Sequence, residues 1–265
     1  MGLSYNRQVI DDLYQGNRQL VDGTERSRSA QSLQLLMDYG ISRRLTLSST
    51  FSLVRQEREV RNSSGADNSL QVDGPGDALV ILKYSLAKPG IFSGREVAVG
   101  IGSKIPLGES NDRRSGILTA EDMQPGSGAW DWIFWAYASQ QLDPAGQYSL
   151  MLSVFYRLNG ENDRNYHFGD DLSASFGVNR FTLPFYTPAS LGLLMSYRHA
   201  AAGSRGVTEI PNTGGDWLYI TPGANLDLPW DLSLGLSWEL PLYRNVKGVQ
   251  FSTSYSTRIS LFRLM

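Results

Sequence analysis

Cysteine is absent from the 265 residues, which removes disulfides, thiolate metal sites and thiol nucleophiles together. That lack also suits a chain that crosses an oxidising compartment. Histidine is nearly as scarce, with only His167 and His199, so serine chemistry has two candidate bases. Long apolar runs are missing: the longest is Trp132 to Ala138, against the ~18 residues that a helical membrane span needs. Mean hydropathy is −0.26. This excludes a spanning helix but not a spanning barrel, whose polar inner face lowers the average. Charge of either sign is not in excess, with a formal net −2 and a pI near 5.7, so no basic face invites nucleic acid. No apolar leader follows Met1, and an exported chain would appear here in mature form with its signal peptide gone. Gly2 is no myristoylation signal, because Asn6 stands where Ser or Thr is needed.

What the chain has is alternation. Asp231 to Tyr243 reads DLSLGLSWELPLY, with Leu232, Leu234, Leu236, Trp238, Leu240 and Leu242 at every second position. Ser233, Gly235, Ser237 and Glu239 fall between them. A period of two is an extended strand with one apolar face. The pattern recurs about twelve times, in segments of about ten residues, the length at which a tilted strand crosses a bilayer. Examples are Leu33 to Tyr39, Ala78 to Leu86, Val97 to Leu107, Tyr148 to Leu158, Leu172 to Val178 and Phe251 to Leu261. Tight turns such as Asp143-Pro144-Ala145-Gly146 and Pro229-Trp230-Asp231 alternate with long polar loops. Lys88-Pro89-Gly90 ends the fourth strand. The expectation is a single domain over residues 1–265: an all-β, antiparallel, up-and-down transmembrane barrel with short periplasmic turns and long extracellular loops. Both chain ends then fall on the periplasmic side.

Aromatic residues gather at the strand ends. With odd strands rising, the outer ends carry Trp130, Trp132, Tyr156, Tyr197 and Trp217. The inner ends carry Tyr39, Tyr84, Tyr148, Phe185, Tyr186 and Trp230. Two such girdles are where amphipathic rings settle in a bilayer. The competing fold is a soluble β-sandwich or lipocalin-like barrel.

Four stretches carry a resemblance: DGPGDALVILKYSL (Asp73 to Leu86), VAVGIGSKIPLGES (Val97 to Ser110), PGSGAWDW (Pro125 to Trp132) and YITPGANLDLPWDLSLGLSWELPLYRNVKGVQ (Tyr219 to Gln250). In them the chain is similar to a family of bacterial outer-membrane proteins named for the meta-pathway of phenol degradation, loosely related to fatty-acid and aromatic-hydrocarbon channels. The resemblance implies a barrel that passes hydrophobic or aromatic small molecules. One departure is the end of the chain, Phe262-Arg263-Leu264-Met265, where such barrels commonly close on an aromatic.

Charges on the polar phase of strands are the candidate pore lining: Lys83, Lys104, Arg157, Arg198, Glu239 and Arg258. A lipid-facing charge at the midplane would cost about 2–4 kcal/mol. Either they form a constriction that selects by sign, with cations favouring anionic solutes, or they pair into a network that plugs a narrow barrel. GIGSK (Gly100 to Lys104) has the look of a phosphate loop, but its flanks alternate as a strand and Pro106 follows. Glu161, Asp163, Asp170 and Asp171 are read as a solvated loop rather than a calcium site. His199 lies three residues from Ser196, on the opposite strand face, so no catalytic constellation, metal or cofactor is expected. The reading is a non-enzymatic, monomeric, passive channel for small solutes in a bacterial outer membrane. Its neighbours there are lipid and lipopolysaccharide. The alternative is a filled barrel that anchors partner-binding extracellular loops.

Overall fold

The computed structural model describes residues 1–21, 26–61, 67–87, 94–114, 116–182 and 188–263. Twelve strands form one closed antiparallel sheet. They are β1 (Gly2–Val9), β2 (Arg26–Gly40), β3 (Leu45–Arg61), β4 (Ala78–Ser85), β5 (Arg95–Ile105) and β6 (Asp131–Gln141). The second half is β7 (Tyr148–Leu158), β8 (Asp171–Thr182), β9 (Ala189–Ala200), β10 (Gly215–Leu228), β11 (Leu232–Ser252) and β12 (Tyr255–Arg263). Each pairs with its sequence neighbours, and β1 pairs with β12 from Gly2↔Phe262 to Val9↔Tyr255. Closure removes the sheet edges, so the backbone groups of the wall pair strand to strand, the condition for crossing lipid. Among the described residues no helix is long and apolar enough to span a membrane.

Register aligns the apolar phase around the wall. Leu3 pairs with Leu35 and Leu261, Leu82 with Leu47 and Ile101, and Phe176 with Leu152 and Met195. These side chains point outward, and Leu191, Leu193 and Leu236 stay about half exposed at 56%, 50% and 51%. A continuous apolar belt on the outside of a closed barrel is a lipid-facing surface, because water would make it an aggregation site. A soluble sandwich would bury that face.

The last strand differs from the sequence reading. Phe251 and Thr253 precede β12: β11 runs to Ser252, and Tyr255 opens β12. The reason is a bend at Gly248, whose φ is +73°, next to an irregular register between Val246 and Val249. The bent end of β11 pairs with Asp12–Gly16, itself in a hairpin with Arg18–Leu20. The bend leaves the two-residue period intact, so the sequence reads straight through it. Phe185, Tyr186 and the Lys88-Pro89-Gly90 break lie outside the described residues.

Trp217 also departs from expectation. It is only 8% exposed, on the inward phase of β10 between the outward Asp216 and Leu218. Its indole N–H donates to Ser252 Oγ at 3.1 Å, and the Arg198 guanidinium stands 5.3 Å from its ring. Position at a strand end suggested an interfacial ring, but side-chain phase decides the face. Trp130, Trp132, Tyr39 and Trp230, by contrast, are exposed near strand ends. Tyr84, Tyr148, Tyr156 and Tyr197 lie on the outward phase. Tyr156 stacks on Phe134 across the pair at 6.4 Å.

Candidate functional site: the barrel interior and its mouth

The inward phase divides the wall into two chemistries. On β4 to β9 it carries Leu79, Ile81, Trp135, Tyr137, Phe155 and Leu194. On β10 to β12 and β1 to β3 it is mainly Ser, Thr, Asn and Gln, as in Ser233, Ser237, Ser260, Asn6, Ser32 and Thr50. Cross-strand glycine makes room for the apolar side. A Cβ on Gly100 would meet Ile81 Cγ2 at 2.9 Å and Trp135 Cε3 at 3.2 Å, so Trp135 and Ile81 spread across β5. Trp135 stacks with Tyr137 at 5.8 Å and 7°, and the Lys83 ammonium sits 5.1 Å from the Trp135 ring centroid.

The candidate pore-lining charges fall into three environments. Lys83 is 3.5 Å from Asp38 Oδ1 on β2. Lys104 is 8% exposed at its side chain, 2.6 Å from Asp131 Oδ2 and 3.3 Å from Asp77 Oδ2. It also donates to Ser127 Oγ. It is therefore held in a buried ion-paired cluster at the outer end of β5. The remaining four share one arc. Arg198 binds Asp171 Oδ2 through Nε at 2.7 Å and Nη2 at 2.6 Å. Arg157 stands opposite Asp171 in register, and its buried Nε has no hydrogen-bond partner among the described residues. Glu239 feels the charges of Arg258 and Arg198, and Arg258 is exposed on the inward phase.

Sequence reasoning missed Asp77, Asp131, Glu121, Asp122 and Arg28. These residues build the mouth, and single acids and bases in loops carry no period that would mark them. Asp77 accepts backbone N–H groups from Gly108 at 3.1 Å and Ser127 at 3.0 Å. Gly108 and Gly126 face each other there, with an added Cβ on Gly108 falling 2.7 Å from Gly126 Cα. The 106–130 connection is thereby pinned at both ends and folds over the opening. At its 3₁₀ turn (Glu121–Met123) Met123 is 1% exposed. Asp122 pairs with Arg28 of β2 at 2.5 Å, and Arg28 also donates to Gln56 of β3 at 2.7 Å. Glu121 pairs with Arg164 of the connection after β7 at 2.5 Å and lies 3.6 Å from Arg205 of the connection after β9. One turn is thus latched to both sides of the mouth.

The histidines face other partners. His199 Nδ1 is 2.8 Å from Asp216 Oδ1, which also accepts the Tyr197 hydroxyl at 2.6 Å. His167 Nε2 is 2.8 Å from the Asn159 carbonyl. Among the described residues no serine hydroxyl bonds to either ring. Of the acidic loop, Asp170 takes the Asn159 N–H and the Tyr156 hydroxyl while Asp171 turns inward to Arg198, so the two neighbours do not converge.

Neither a protein-family model nor a curated protein sequence matches the chain. Among solved structures it is similar to an outer membrane channel from Pseudomonas putida F1, at 16% identity and a TM-score of 0.73, over 100% of this chain and 94% of that one. It is also similar to the beta domain of a Bordetella autotransporter, at 10% identity and a TM-score of 0.51, over 98% of each. At such identities the likeness speaks for the fold, a closed twelve-stranded barrel of the outer-membrane type.

Proposed function

We propose that this chain is a passive, non-enzymatic channel in a bacterial outer membrane, acting as a monomer on small solutes that combine an aromatic or apolar body with a polar group. The observation that carries the reading is the two-sided interior. A ring can slide along Trp135, Tyr137 and Phe155, gaining dispersion contact, while its polar group exchanges water for the hydroxyls and amides opposite. Weak contact on both sides lets a solute enter without being trapped. Arg157 and Arg258 bias passage towards anions, whereas Arg198 is neutralised by Asp171. The similarity to a channel, and the resemblance to proteins that handle aromatic compounds, support this reading. The latched mouth supports a second one, a filled barrel that displays its outer connections to a partner.

Planar-bilayer recording separates the two. The expected result is stable conductance with anion preference that falls in Arg258→Ala. Added phenylalanine, a solute that does not cross lipid readily, should produce current noise that glycine does not, and Trp135→Ala should remove the difference. Silence from folded, inserted protein would overturn the channel reading and leave the anchor.

A further inference from the structure

The lipid-facing surface of the wall carries charge where its apolar belt stops on the outer side. On β1 the outward phase runs Leu3, Tyr5, Arg7, and Val9 beyond them is buried. Arg7 is therefore the outermost exposed side chain of that face. Register sets Thr257 of β12 on one side of it and Gln31 of β2 on the other. One outward position nearer the membrane centre, the same three strands carry Ile259, Tyr5 and Leu33. The Tyr5 hydroxyl donates to Gln31 Oε1 at 2.9 Å, so the Gln31 amide keeps its two N–H donors. Among the described residues Arg7 has no ion pair and no side-chain hydrogen bond. The acids of this region stand elsewhere. Asp11, past the buried Val9, accepts the Arg28 N–H, and Asp12 binds Arg244. Glu57 accepts the Ser29 hydroxyl on β3, and Asp73 accepts the Gln71 amide one strand further. These last two flank Arg55, the next outward cation, and offset its charge.

A guanidinium, an amide and a hydroxyl in one row offer hydrogen-bond donors to an anionic head group. The apolar row beneath them offers contact to its chains. Arginine presents paired N–H donors in a plane that matches phosphate, and cations beside a membrane surface attract anionic lipid heads. Adjacent strands lie about 4.8 Å apart, so the three donors span about 10 Å. That width suits the sugar-phosphate head of a glycolipid better than a single phosphodiester. We propose that Arg7, Gln31 and Thr257 form a docking site for a phosphate of lipopolysaccharide, the outer-leaflet glycolipid, whose acyl chains lie along Tyr5, Leu33 and Ile259. The site belongs to the outside of the wall and does not depend on conduction.

The test is titration of refolded, detergent-solubilised protein at pH 7, with bound lipid counted by native mass spectrometry. The probe is bisphosphorylated lipid A, and the comparators are the same lipid stripped of its phosphates and phosphatidylglycerol. Lipid A is expected to bind about tenfold more tightly than either comparator, the worth of a charge-assisted phosphate contact. Arg7→Ala is expected to remove that advantage. Arg55→Ala, whose guanidinium is already offset by Glu57 and Asp73, is expected to keep it. Heat-modifiable migration on gels confirms that each variant is folded. Equal binding of the dephosphorylated lipid would overturn the site, and equal binding of phosphatidylglycerol would overturn the choice of glycolipid. An unchanged affinity in folded Arg7→Ala, or an equal loss in Arg55→Ala, would show that Arg7 does not hold the phosphate.

Discussion

Replacing Lys104 by Met removes the single cation from a cluster of two carboxylates. Lys104 Nζ is 2.6 Å from Asp131 Oδ2 and 3.3 Å from Asp77 Oδ2, with side-chain exposures of 8%, 1% and 8% for Lys104, Asp131 and Asp77. Among the described residues Asp131 Oδ2 has the Lys104 ammonium as its one polar contact, while Oδ1 accepts the Gly160 N–H at 3.0 Å. Without the ammonium, two buried carboxylates remain with no counter-charge. Breaking a buried pair in this way costs about 3–5 kcal/mol, most of it the penalty of the charge left behind. Asp131→Asn is milder, about 1–2 kcal/mol, because Lys104 keeps Asp77. The double variant Lys104→Met/Asp131→Asn should recover part of the single Lys104 loss, as it leaves only Asp77, which has three donors of its own.

Urea unfolding of protein refolded into liposomes, followed by tryptophan fluorescence, gives these differences. Trypsin cleavage at the exposed Arg113 and Arg114 reports whether the 106–130 connection has come loose. Were Lys104→Met within about 1 kcal/mol of the parent, or the double variant less stable than Lys104→Met, the cluster would not hold the mouth and the argument from burial would fail.

Three further outcomes are expected. Glu121→Gln combined with Asp122→Asn unlatches the 3₁₀ turn from Arg164 and Arg28, so single-channel conductance should rise and trypsin should cut faster at Arg113, with about 1–2 kcal/mol lost globally. Gly108→Ala forces apart two backbones in contact and should cost about 1–3 kcal/mol in the same urea assay. Asp143, in the turn between β6 and β7, accepts the N–H groups of Tyr148 at 2.7 Å and Gln147 at 3.0 Å, and these bonds hold its carboxyl below the ordinary aspartate range. A lowered folded pKa stabilises above the unfolded value and loses that contribution as pH falls through the folded one. The parent should therefore lose more stability than Asp143→Asn between pH 5 and pH 2, measured by urea midpoints across that range.

The lipid face was legible because it obeys one rule repeated around the wall. A column such as Leu232, Leu234 and Leu236 can face only one way, and antiparallel pairing sets it beside Leu226 and Leu261. Strand ends were less legible. Trp217 sits at the right height for a girdle but on the other face, and only its parity with Tyr219 separates the two outcomes. The bend at Gly248 is silent for the same reason, since a left-handed glycine can turn a strand without disturbing its alternation.

The interior was hardest to read because its residues answer to neighbours on other strands. In AWDWIFWAYAS both phases are apolar, so periodicity cannot say which aromatics face lipid. Register can: Phe134 lies beside Ile101 and Tyr156, whereas Trp135 lies beside Gly100 and Phe155. A strand apolar on both faces, flanked by a strand with glycine at alternate positions, is a sequence sign of a large side chain spreading inside the barrel. The same logic separates the candidate charges. Lys104 and Arg258 share an inward phase, yet one meets Asp77 and Asp131 contributed by elements 27 residues away on either side, and the other is flanked in register by Ser237 and Asn6. Phase therefore says that a charge points inward. Only the cross-strand partner says whether it closes the mouth or stays free to meet a solute.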